Sequence, residues 1–156
     1  MTTGDFAIAG PQLGQATHCE PILRALPDWF GIEQAIQHFV AEIDHLPTWL
    51  AYHADAVVGF LSLKVHNLFA AEVYLIAVRA ETHRMGIGKT LMVQAEGFLR
   101  QQGVEYLQVK TLGPSHPDPG YAKTRAFYLA LGFRPLEELT ELWSPQNPCL
   151  ILVKRL

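Results

Sequence analysis

Residues 70–90 read AAEVYLIAVRAETHRMGIGKT, and this stretch decides the fold. Ala70–Arg79 is almost continuously apolar and rich in β-formers, the pattern of a strand covered on both faces near the middle of a sheet. After a short polar loop, Gly86 and Gly88 open a segment in which Ile87, Leu91, Ala95, Phe98 and Leu99 fall on one stripe at helical spacing. Gly103 closes this helix of residues 87–102, and Tyr106–Leu112 is a second strand. Strand, helix and strand in that order predict a right-handed crossover, with the strands at 70–79 and 106–112 paired in parallel.

Outward from this unit, residues 15–26 and 31–45 read as helices punctuated by Pro27 and Pro47. Thr48–His53 and Ala56–Val65 form a hairpin turned at Ala54-Asp55. Downstream, Gly113–Gly120 (GPSHPDPG) reads as a proline-rich loop and Ala122–Leu131 as a short helix ended by Gly132. Phe133–Glu137 and Cys149–Arg155 are the last expected strands. The fold class is therefore α/β, a mixed sheet with flanking helices, in one domain over residues 1–156.

Composition limits the functions open to such a domain. Of 156 residues, 49% are hydrophobic and 17% charged, which excludes a disordered chain. The formal net charge of −3 argues against a general nucleic-acid partner. No apolar run is long enough to span a membrane, and Met1–Gly10 lacks the basic start and apolar stretch of a leader. Cys19 and Cys149 stand far apart without ligand-like or redox spacing, so a reducing cytoplasm is expected. The seven histidines show no metal-ligand spacing, and no metal is expected. Charge is uneven: residues 1–78 carry two bases against eight acids, and residues 79–156 carry ten against seven.

The glycine turn is the strongest chemical signal. A turn between strand and helix leaves main-chain N–H groups unpaired at the positive end of the helix dipole. Glycine lets a phosphate approach that backbone closely. Arg79, Arg84 and Lys89 add positive charge. Two phosphate motifs fail here. In a P-loop ending at Gly88-Lys89-Thr90 the first glycine would fall at His83, and in a dinucleotide turn starting at Gly86 the third would fall at Leu91.

A third pattern fits. Gly86-Ile87-Gly88 matches the core of the Q/R-x-x-G-x-G/A signature, and the chain resembles the GNAT acetyltransferases; the Gln/Arg position is His83, with Arg84 beside it. Thr124–Phe133 (TRAFYLALGF) is similar to the A-x-x-F-Y-x-x-x-G-F segment of that family, with Thr124 in place of the usual Ala. The resemblance covers roughly residues 5 to 155. It implies an acyl-CoA N-acyltransferase fold, with acetyl-CoA lying where two parallel strands splay apart and no metal taking part. The main chain of Ile76, Ala77 and Val78 would pair with the pantetheine arm. The turn His83, Arg84, Met85, Gly86, Ile87, Gly88, Lys89 and Thr90, with Thr124 downstream, completes the implied coenzyme site.

In such an enzyme an amine attacks the thioester directly, which requires a neutral amine and an assisted thiolate. Deprotonating an alkylamine of pKa about 10.4 at pH 7 costs about 4.6 kcal/mol. Glu72 shares a strand face with Tyr74, Ile76 and Val78 and is the candidate base, directly or through a water. The resemblance makes Tyr128 the donor to the thiolate, a transfer uphill by about 2 kcal/mol for an ordinary phenol. The expected function is acetyl transfer to a primary amine of a small molecule or peptide. The alternative from a different class is a non-catalytic acyl-CoA sensor on the same scaffold. Dimers are common in similar proteins, so a homodimer is a further option.

Overall fold

The computed structural model describes residues 5–156; residues 1–4, part of the stretch behind the leader reading, lie outside them. The element order is β1 (Ala7–Gln12), α1 (Ala16–Arg24), α2 (Glu33–Ile43), β2 (Thr48–His53), β3 (Ala56–Val65) and β4 (Ala70–Val78). A 3₁₀ turn (Ala80–Met85) follows, then α3 (Ile87–Gln101), β5 (Tyr106–Leu112), α4 (Pro119–Ala130), β6 (Arg134–Ser144) and β7 (Asn147–Arg155). The strands make one seven-stranded sheet in the order β1-β2-β3-β4-β5-β7-β6. As expected of a crossover, β4 and β5 are parallel, with Ala70 opposite Tyr106 and Val73 opposite Val109. The pairs β1–β2, β2–β3, β5–β7 and β6–β7 are antiparallel.

The chain divides into two compact units. The first runs to Lys64 and adds Tyr74–Phe98. Its core gathers Cys19, Ile22, Leu23, Ile43, Leu50, Phe60 and Ala77, with Phe39, Tyr52 and Tyr74 packed against them. Burial pushes the Cys19 thiol up to about 12, so it behaves as a small apolar side chain. Asp44, just past α2, accepts from the Ala16 N–H at the start of α1, a cap supplied from another element. The second unit is Val65–Val73 with Leu99–Leu156, and Leu107, Val109, Phe133 and Leu152 are buried in it.

Four elements differ from the sequence reading, each for a local reason. β1, to which the sequence reading gave no element, becomes a strand by pairing with β2 across a bulge. The polar stretch after Arg79, expected as a loop, winds into the 3₁₀ turn. α4 begins at Pro119, so the loop expected to end at Gly120 is shorter. Asp118 accepts from the N–H groups of Gly120 and Tyr121, and proline occupies the first turn, where it gives up no helix bond. β6 runs to Ser144 rather than Glu137, because an edge strand needs only one partner and β7 supplies it along this length. The hairpin turn at Ala54-Asp55 is as expected, both residues taking positive φ (50° and 64°).

Candidate active site

In the first unit the phosphate-turn residues gather at the end of β4 and the start of α3. Gly86 has φ +80° and ψ 16°, a left-handed conformation that disfavours a side chain. A Cβ built on it would meet nothing within 4 Å, so the turn is open on that side. At this end the Thr90 N–H donates to the Gly86 carbonyl, and the Thr90 hydroxyl donates to the same oxygen at 2.9 Å. Helix geometry leaves the N–H groups of Gly88 and Lys89 without partners inside α3. Ile87 is buried and anchors the helix start, while Arg84 and Lys89 are exposed.

Gly59 on β3 sets the closeness of this packing. A Cβ there would lie 3.2 Å from the Ala77 carbonyl, 3.2 Å from Val78 Cγ2 and 3.3 Å from Ile87 Cγ2. The sequence carried a signal for it, an isolated glycine inside a strand. The Ala77 carbonyl faces β3, as does the Arg79 N–H, which donates to Val58. Strand alternation therefore turns the main-chain groups of Ile76 and Val78 to the opposite edge of β4. His83, at the Gln/Arg position of the signature, donates a ring N–H to the Val78 carbonyl at 2.6 Å, and Trp29 meets its ring edge-on. Its side chain thus braces the end of β4.

In the second unit Glu72 is buried, with its side chain 8% exposed. Three donors converge on its Oε1: His66 Nε2 at 2.8 Å, Gln108 Nε2 at 3.2 Å and Lys110 Nζ at 3.4 Å. The parallel register puts Gln108 directly opposite Glu72. Sequence reading missed His66, Gln108 and Lys110, because the β3–β4 turn brings the first to Glu72 and the register of β4 on β5 brings the other two. Tyr128 on α4 is 5% exposed, wedged edge-on between Phe127 and Phe133. Burial, with Tyr121 nearby, raises its phenol above the ordinary value, so it stays protonated across the neutral range. Thr124, one turn before Tyr128, donates to the Gly120 carbonyl. Arg125 donates to the Leu112 carbonyl at 2.7 Å and pins α4 to the end of β5.

A family model for the acetyltransferase (GNAT) family matches residues 17–133. The chain belongs to that family. Solved structures carry the same fold. A GNAT-family protein from Desulfovibrio desulfuricans superposes with TM-score 0.79 at 21% identity, covering 96% of this chain and 98% of the other. The ribosomal-protein-S18-alanine N-acetyltransferase from Escherichia coli gives TM-score 0.76 at 16% identity, covering 96% and 93%. A GNAT acetyltransferase from Elizabethkingia anophelis, solved with acetyl-CoA bound, gives 0.72 at 17% identity, covering 97% and 99%. No curated protein matches the sequence.

Proposed function

We propose that the chain is an N-acetyltransferase that moves the acetyl group of acetyl-CoA to a primary amine by direct attack. The observation that carries this reading is the open left-handed turn at Gly86, heading α3 in a chain of this family. It fits a diphosphate: main-chain donors, a positive helix end and no side chain in the way. In this reading His83 to Thr90 hold the pyrophosphate mainly through backbone, with Arg84 and Lys89 adding charge. The main chain of Ile76, Ala77 and Val78 offers strand-like pairing to the pantetheine arm, with Ile76 and Val78 on its outward edge, and Thr124 completes the set.

The acid–base work falls to Tyr128 and Glu72. Tyr128 donates a hydrogen bond to the departing sulfur; its raised phenol makes full proton release more costly than the sequence arithmetic assumed. Glu72 serves the base end, directly or through an intermediary. The acidic balance of residues 1–78 favours a cationic acceptor, from the small-molecule or peptide amines, and free buried thiols suit a cytoplasmic setting.

Isothermal titration with acetyl-CoA tests the proposal. Saturable binding with Kd below about 50 μM, near −6 kcal/mol, is expected. Absence of heat at that concentration sinks it. Binding without thiol release over a broad amine panel moves the chain to the sensor reading.

A further inference from the structure

The three donors on Glu72 Oε1 constrain what that carboxylate can do. They occupy Oε1 of a side chain that is only 8% exposed, and this oxygen serves as an acceptor that holds its neighbours in place. His66 is different. Its side chain is 33% exposed, and its Nε2 lies 2.8 Å from the carboxylate. An ionised carboxylate only accepts, so Nε2 carries the hydrogen, and the neutral ring keeps its lone pair on Nδ1. Its backbone is fixed by the turn between β3 and β4. The His66 N–H donates to the Ala70 carbonyl, and Asn67 Oδ1 accepts from the N–H groups of Phe69 and Ala70.

We infer that His66 takes the proton from the acceptor amine at Nδ1, and that Glu72 is a positioning residue that fixes the imidazole tautomer and orientation. The inference deepens the acetyltransferase reading and rests on it. The charged or titratable groups facing this pair are Glu72 on β4, Lys110 on β5 and Cys149 on β7. The Cys149 thiol is raised by burial, lowered by Lys110 and raised by Glu72.

The acceptor ammonium gives one proton to His66 Nδ1. The freed nitrogen lone pair attacks the thioester carbonyl carbon; the C–N bond forms, the C–S bond breaks and the electron pair leaves on sulfur. A second proton from the nitrogen ends on sulfur as the thiol, and His66 returns the first to water.

The test compares wild type, His66→Gln, His66→Ala and Glu72→Gln by acetyl-CoA titration. Thiol release is followed from pH 6 to about 10 with spermidine, an alanine-terminated peptide and an aminoglycoside as acceptors. His66→Gln keeps a donor for Glu72, so its fold and its affinity for acetyl-CoA should match wild type. Its kcat/KM should fall about 100-fold at pH 7 and by far less near pH 10, where a good fraction of the amine is already neutral. Free imidazole should restore part of the activity of His66→Ala. Glu72→Gln should lose about tenfold, with the same recovery at high pH. Undiminished turnover in His66→Gln at pH 7, or a loss equal at every pH, overturns the role of His66 while leaving the enzyme reading intact. Failure of wild type to bind acetyl-CoA or to acetylate any of the acceptors overturns that reading, and this inference with it.

Discussion

Around Gly86 the groups proposed for the coenzyme belong to the main chain: a left-handed glycine, the first N–H groups of α3 and the outward edge of β4 at Ile76 and Val78. Around Glu72 they belong to side chains, with three donors from β5 and the β3–β4 turn meeting one carboxylate oxygen. The first arrangement asks only that the backbone reach a given conformation, so most side chains in it can vary. That explains how histidine can stand at the Gln/Arg position of the signature and be used on the Val78 carbonyl. The second depends on chemical identity, since replacing Glu72 removes the one acceptor that three donors share.

This contrast can be broken at several points. The largest effect is expected for Tyr128→Phe, which removes one hydroxyl from a packed ring. Steady-state assays should show kcat down by about 100-fold with acetyl-CoA affinity unchanged. A loss confined to affinity would return Tyr128 to simple packing. Because the phenol is raised by burial, the activity of wild type should show no alkaline limb from Tyr128 below pH 10. Next, Gly86→Ala adds about 1 kcal/mol or more of backbone strain and a methyl in the open turn, so calorimetry should show acetyl-CoA binding about tenfold weaker. His83→Gln, by contrast, should change that affinity by less than about threefold; equal losses in the two variants would erase the distinction between backbone and side-chain recognition.

Gly59→Ala probes the packing beneath the turn. Its methyl would press on the Ala77 carbonyl and on Val78 and Ile87, costing about 1–3 kcal/mol in chemical denaturation. The smallest effect concerns the exposed Arg24–Glu33 pair. Arg24 holds the Glu33 carboxyl down to about 2. A depressed carboxyl stabilises the fold fully above the ordinary value near 4.5 and loses that contribution as pH falls through about 2. Thermal melts of Glu33→Gln should therefore run slightly below wild type above pH 4.5 and meet it near pH 2. A gap that persists at pH 2 would point to a different partner for the charge.

The reach of the sequence follows from how local each feature is. β4, the glycine turn, α3 and β5 were legible because strand and helix periodicity, glycine placement and the crossover rule all act over neighbouring residues. The Ala54-Asp55 hairpin was legible for the same reason. The start of α4 carried its own signal in Asp118-Pro119, a cap followed by a first-turn proline, which the proline-rich composition of the loop obscured. Nothing local marks β1 or the outer half of β6, whose strand character comes from pairing with β2 and β7.

For the site, the chain alone placed the glycine turn between strand and helix, since it is made of consecutive main-chain groups of one segment. It also placed Glu72 on a strand and Tyr128 on a short helix. Only the tertiary structure decided what surrounds them. Residues 66, 72, 108 and 110 come together through a strand turn and a parallel register, and the meeting of distant side chains follows no sequence period. The weakened acidity of Tyr128 is likewise a product of burial between Phe127 and Phe133, because desolvation depends on what covers a group in space.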